Sequence, residues 1–226
     1  MALIRDEQFY GSDFGHPGKE GHRIFHPWGG YGEFGRIASR IGYGAGDFRY
    51  YVLWALSRQS LLRNPRGQVW ECGVWKGHTA ALLAAIAEEA GIQIHLFDTF
   101  EGMPEVNPEW DSHCKGDFAD TSLGDAENYL KEFKSTTVFH QGLIPETFKG
   151  CEAAEITFAH IDVDLHRSVL DCLEFIYPRL MPGCAIVVDD YGWGSCPGAR
   201  EAVEVYFRTK PVVPLALPSA QAIIIK

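Results

Sequence analysis

Acidic side chains stand at two points of the sequence where a strand end would present them to a ligand. His160-Ile161-Asp162-Val163-Asp164 closes one apolar run (156–162), and Asp189-Asp190-Tyr191 closes another (184–190). If both runs are parallel strands of one α/β sheet, their tips converge on a single crevice and bring Asp162, Asp189 and Asp190 close together. Carboxylates held that close repel unless a proton or a cation neutralises them. Hard oxygen donors select Mg²⁺, with Ca²⁺ or Mn²⁺ able to take its place. A cation there binds a substrate hydroxyl, lowers its pKa and holds the oxygen for in-line attack. The competing reading is that these acids cap helices or pair with Arg167, Arg179 or Arg200. Asp164, beyond the end of the apolar run, reads equally as a helix cap or an arginine partner and stays outside the set.

A second constellation lies upstream. Glu71-Cys72-Gly73-Val74-Trp75-Lys76-Gly77 follows a strand-like run and opens an Ala-rich helix. Gly73 permits a tight turn and a close approach of backbone to ligand, and Gly77 removes a Cβ that would hold the helix off the strand. The spacing is ExGxxxG rather than the GxGxxG that seats a pyrophosphate on a helix N-terminus. A carboxylate at Glu71 repels pyrophosphate but suits the ammonium of an aminoacyl ligand. Asp98 ends the next strand, where an acid accepts hydrogen bonds from ribose hydroxyls. Together these features point to an adenosyl aminoacyl ligand, S-adenosylmethionine, rather than a dinucleotide.

The elements that position these residues alternate. Apolar residues at helical spacing in 47–62 stop at Asn64-Pro65-Arg66-Gly67. Strand-like runs at 68–74, 93–98, 136–142, 156–162 and 184–190 alternate with helical patterns at 78–91, 125–134, 166–180 and 198–210. Units of this kind imply βαβ crossovers and a parallel sheet. Two last runs, 211–217 and 219–226, read as a closing hairpin that adds an antiparallel edge strand. The fold class is therefore a single α/β domain, a doubly wound, mostly parallel seven-stranded sheet over residues 46–226. Residues 1–45, rich in glycine and aromatics, admit no long regular element and read as an arm, a lid or an interface.

Composition removes several function classes. Net charge is −10, from 30 acidic and 20 basic side chains, which argues against a nucleic-acid surface. No run of apolar residues is long enough to span a bilayer, and the N-terminus lacks a signal-like apolar core, so a cytoplasmic protein is expected. The six cysteines are scattered and read as free thiols. Among other residues, His113 and His140 read as ordinary loop and strand-end histidines. Trp110 and Trp193 lie in loops on the ligand face, and Cys196-Pro197-Gly198 reads as a helix start whose thiol has no base partner in sequence.

Taken together, ECGVWKGHT (71–79), FDTFEGMPE (97–105), KGDFADTSL (115–123), HIDVDL (160–165), YPRLMPGC (177–184) and DDYGW with CPGAR (189–200) resemble the macrocin O-methyltransferase family. These are metal-dependent enzymes that methylate sugar hydroxyls of natural products. The resemblance covers residues 66–226 and, less closely, 47–56. It implies that Glu71 and Gly73 line the methionine end of S-adenosylmethionine and that Asp98 takes the ribose. Gly77 and Thr99 complete the cofactor set, and Asp117 and Phe118 either seat the adenine or belong to a lid. It also implies that Asp162, Asp189 and Asp190 hold Mg²⁺, a trio similar to that of catechol O-methyltransferase. In this class an aspartate near the metal is the general base, and Asp162 is the best placed. Where the family has Tyr after DVDL, this chain has His166. The N-terminal segment, which in the family helps build the acceptor pocket and the oligomer, matches poorly. The expected activity is methyl transfer to a hydroxyl of a small molecule, a natural-product sugar first, by a homo-oligomer. A catechol or phenol acceptor and a non-catalytic adenosyl-ligand-binding subunit are the alternatives.

Overall fold

The computed structural model describes residues 31–42 and 48–226. Seven strands in the described residues form one sheet: β1 (Gln68–Cys72), β2 (Ile94–Asp98), β3 (Thr137–Gln141), β4 (Ile156–Ile161), β5 (Leu180–Val188), β6 (Leu215–Ala216) and β7 (Ala222–Ile225). Their order is β3-β2-β1-β4-β5-β7-β6. The first five pair in parallel, and β7 runs antiparallel to both β5 and β6. The chain winds outward from β1 to β3 and then returns to place β4 on the other side of β1. The crevice at that reversal opens at the carboxyl ends of β1 and β4.

Helices α1 (Tyr31–Arg40), α2 (Phe48–Arg63) and α3 (His78–Ala90) gather on one face, while α5 (His166–Arg179) and α6 (Pro197–Phe207) pack together on the other. Successive strand residues serve the two layers in turn. Val69, Ile94, Leu96, Phe158 and Val187 join the first layer, and Trp70, Phe97, Ile161, Ile186 and Val188 the second. Burial on both faces is why the strands read as near-continuous apolar runs. The patterned 125–134 run resolves into a shorter helix, α4 (Leu123–Tyr129), and a 3₁₀ turn at Lys131–Phe133. Ser122 caps α4 by accepting the Asp125 N–H at 3.1 Å, which starts the helix two residues early.

One expectation is corrected. The glycine-rich composition of 1–45 predicts no long regular element, yet Tyr31–Arg40 is helical. Phe34, Ile37 and Ala38, spaced three and four apart, are fully covered by the first core layer, and that burial outweighs the glycines at 32 and 35. Residues 1–30 and 43–47, and with them the rest of the arm, lid or interface reading, lie outside the described residues. All six cysteines are free. Among the described residues no helix is long and apolar enough to cross a membrane.

At the outer strands, His95 on β2 and His140 on β3 stack 5.1 Å apart and share a hydrogen bond, Nδ1 to Nε2, of 2.9 Å. Burial lowers both rings below the free value of 6.5, and His140 helps bring His95 to about 4. The unfolded chain therefore binds more protons than the folded one between those limits. Stability from this pair is complete above pH 6.5 and is lost as pH falls toward 4. Urea midpoints at pH 7 and pH 5 are expected to differ, and the difference should shrink in His95→Phe; an unchanged pH slope in that variant would refute the assignment.

Candidate active site

The glycine loop is shaped by where its backbone must pass. Gly73 has φ +87°, and its N–H donates to the Phe97 carbonyl at 2.9 Å. A Cβ on Gly73 would collide with the backbone carbonyl of Asp162. Glycine is therefore required twice over, by conformation and by space. Gly77 is needed for a different reason from the one its spacing suggested. A Cβ there would meet only the side chains of Leu130 and Tyr129 at ordinary contact distance, whereas its φ of +88° at the start of α3 is what excludes other residues.

Asp98 ties this loop to the end of β2. Its Oδ2 accepts the N–H groups of Val74 and Trp75 at 2.6 and 2.8 Å, and its Oδ1 accepts that of Phe100 at 2.7 Å. The Thr99 hydroxyl stands 3.5 Å from Oδ1 but has a nearer acceptor, and a carboxylate has room for about four such bonds, so a ligand hydroxyl can still be taken. Thr99 beside it holds the next turn, donating to the Gly102 carbonyl at 2.7 Å. Gly73, Asp98, Thr99 and Phe118 all line one cavity of about 480 Å³ at the carboxyl ends of the strands, well within the range of small-molecule sites. Tyr50 and Leu53 from α2 and Met103 and Leu143 from loops give it apolar walls.

Three of the expected cofactor residues stand behind that cavity rather than on it. Gly77 shapes the turn. Asp117 folds the loop that follows β2, accepting the Cys114 N–H at 2.9 Å and the His113 ring at 3.3 Å, while Phe118 sets its ring edge against Trp75. Glu71 is fully buried and its Oε1 meets His160 Nδ1 at 2.8 Å. Its Oε2 makes no hydrogen bond of normal geometry, although the Thr79 hydroxyl is near enough to favour the charged form. Burial dominates and raises its pKa.

Glu71 is the first member of a polar row crossing the sheet on the side of the first core layer. Glu71 sits in register with His160 on β4. His160 Nε2 lies 3.4 Å from Asp189 Oδ1, which also accepts from Gln221 Nε2 at 2.8 Å. Arg49, from α2, completes the row as an ion pair with Asp189. All of Glu71, His160, Asp189 and Gln221 are buried.

The acids converge. One donor atom each of His160, Asp162 and Asp189 lies within 4.8 Å of the others, and Asp162, Asp164, Asp189 and Asp190 all reach the cavity. Asp190 Oδ2 accepts the Asp164 N–H at 3.0 Å. Burial first, then the charges of Asp162 and Asp164, push Asp190 well above the usual carboxylate range. Burial and Asp162 raise Asp164 to about 6. The exclusion of Asp164 from the set is thus overturned: β4 ends at Ile161, and Asp164, with a φ of +55° in the turn that follows, reaches the same cavity as Asp162. A backbone held in that region at a functional cleft is strain retained by its surroundings.

Sequence reasoning missed three further residues at the cavity. Arg49 lies in a helix whose apolar pattern drew attention to its core face. His113 and Cys196, taken as bland, sit 3.5 Å apart; 83 positions separate them, so only the fold joins them. His166 begins α5 and stacks on Trp110 at 5.0 Å.

A family model for macrocin-O-methyltransferase (TylF) matches residues 45–217. The chain belongs to that family. Among curated relatives, a tetracenomycin-C rhamnosyl 4'-O-methyltransferase of Streptomyces olivaceus is 28% identical over 164 residues, covering 62% of this chain and 58% of its own. The mycinamicin III 3''-O-methyltransferase of Micromonospora griseorubida is 26% identical, over 62% and 60%. The chain thus spans about three fifths of the length of the curated relatives it matches. The solved O-methyltransferase NovP superposes with TM-score 0.68 at 19% identity, covering 81% of each chain. The calicheamicin methyltransferase CalS11 does so with 0.65 at 20%, covering 85% of this chain and 90% of its own. These two likenesses establish that this family member has the class I methyltransferase fold.

Proposed function

We propose that the chain transfers the methyl group of S-adenosylmethionine to a hydroxyl of a small molecule, a sugar of a natural product, with Mg²⁺ held by Asp162, Asp189 and Asp190. The observation that carries this reading is the opening of an Asp98-braced glycine loop and a set of carboxylates onto one cavity, in a member of this family. A relative named for 4'-O-methylation of a rhamnosyl tetracenomycin and another for 3''-O-methylation of mycinamicin III support the acceptor class.

The donor set suits a hard divalent cation. After burial, the charge of Asp162 is what raises both Asp164 and Asp190, which is the repulsion such an ion relieves. Asp189 differs, since Arg49 already meets it, so a cation competes with a guanidinium there. When bound, the ion supplies Lewis acidity that favours the deprotonated acceptor oxygen. Asp162 takes the hydroxyl proton, and Asp164, turned into the same cavity, is the second candidate for that role. The apolar walls exclude water from the path between the two substrates.

Calorimetric titration with S-adenosylhomocysteine, with and without Mg²⁺, tests the reading. Micromolar binding is expected, weakened about ten- to a hundredfold in Asp98→Ala, the loss of charged hydrogen bonds being about 1.5–3 kcal/mol. Absence of binding by folded wild-type protein would sink the proposal.

A further inference from the structure

We infer that His113, Asp164 and Cys196 form a second cation site, tetrahedral in geometry and suited to Zn²⁺. Cys196 Sγ lies 3.5 Å from His113 Nε2 and 3.4 Å from Asp164 Oδ1. The remaining edge, His113 Nε2 to Asp164 Oδ1, is 3.6 Å. Sulfur, nitrogen and oxygen ligands around tetrahedral Zn²⁺ at about 2.0–2.3 Å stand about 3.3–3.6 Å from one another. The three side chains therefore already occupy three corners of such a tetrahedron.

The surroundings add three features a zinc site needs. His113 Nδ1 points to Asp117 Oδ2 at 3.3 Å, the carboxylate–histidine arrangement that fixes the ring and makes Nε2 the ligating nitrogen. Cys196 is the N-cap of α6, where the helix dipole favours a thiolate. All three residues line the cavity, so the fourth corner opens toward it and is available to water or an acceptor oxygen.

Metal-free, the group is a set of weak contacts. Burial pushes the Cys196 thiol up to about 12, with Asp190 and Asp164 adding to the rise. On binding, a Zn–S bond forms as the S–H bond breaks, and the proton leaves to solvent. No oxidation change occurs. The mixed sulfur, nitrogen and oxygen donors separate this site from the all-carboxylate set beside it, because thiolate and imidazole select zinc over magnesium. The site also links the loop after β2, the turn after β4 and the start of α6, so its occupancy fixes one wall of the cavity. The inference does not depend on methyl transfer.

The test is titration of the full chain with Co²⁺ in saturating Mg²⁺, read by absorption. One equivalent is expected to give a thiolate-to-cobalt charge-transfer band with the strong visible bands of tetrahedral Co²⁺, and Zn²⁺ should abolish both. Cys196→Ser should remove the band and weaken Zn²⁺ at least about tenfold, no less than loss of an outer-shell partner, by competition with a chromophoric chelator. His113→Gln should weaken Zn²⁺ likewise and provides a second reading if the cysteine variant fails to fold. Cys114→Ser, which removes an exposed thiol, and Asp162→Asn should both keep the band. A folded wild type without a thiolate band, or a band that survives in Cys196→Ser, overturns the site and leaves a hydrogen-bonded tether.

Discussion

Gly73→Ala is expected to unfold more easily and to lose S-adenosylhomocysteine binding together. Alanine at φ +87° carries a left-handed penalty of about 1–2 kcal/mol. Its Cβ also meets the Asp162 carbonyl, backbone that cannot swing aside as a side chain would. Relief requires β1 and the end of β4 to part, against the Asp162 N–H bond to the Cys72 carbonyl at 2.8 Å. Overpacking of this kind adds about 1–3 kcal/mol. Gly91→Ala is the control, because Gly91 has φ +69° and open space around it, so only the conformational penalty applies. Urea denaturation of both variants separates the two contributions. Equal losses would show that the close approach to Asp162 carries no cost.

Asp162→Asn has the opposite signature. Removing one charge relieves the repulsion that raises Asp164 and Asp190, so the ligand-free protein is expected to melt at the same temperature or higher. Turnover with a sugar acceptor should fall about 10²–10⁴-fold, the usual worth of a positioned base, while affinity for S-adenosylhomocysteine changes little. Loss of activity without loss of fold marks a site whose charges serve chemistry rather than stability. Activity retained within about tenfold would move the base to Asp164.

The fold was legible in sequence because both core layers draw on the same strands, making apolar runs that only a two-sided sheet explains. The glycine loop and the acids at strand ends were legible for a related reason: the sheet fixes where every carboxyl end points. Elsewhere the reading depended on side-chain direction, which periodicity does not supply once a strand has ended. Asp164 is the clearest instance, since it lies in the turn beyond Ile161 with a φ of +55°, and only that turn's conformation decides that it reaches the cavity. Glu71 was placed at the ligand because its motif adjoins the loop, whereas its strand register turns it toward His160. The meeting of His113 with Cys196 had no local signal, since 83 positions separate them and neither lies within a patterned strand or helix.

The buried row from Glu71 through His160 to Asp189 also limits how the sequence can change over generations. Replacing His160 alone with an apolar residue leaves the buried Glu71 carboxyl without its imidazole partner, at roughly 1–3 kcal/mol, while Asp189 keeps Gln221 and Arg49. Domains of this size hold only about 5–15 kcal/mol in reserve. Replacing either acid alone leaves the imidazole facing a gap. Substitutions here are viable in concert and poorly viable one at a time, so lineages descending from this sequence should either keep the row whole or have exchanged it in linked steps.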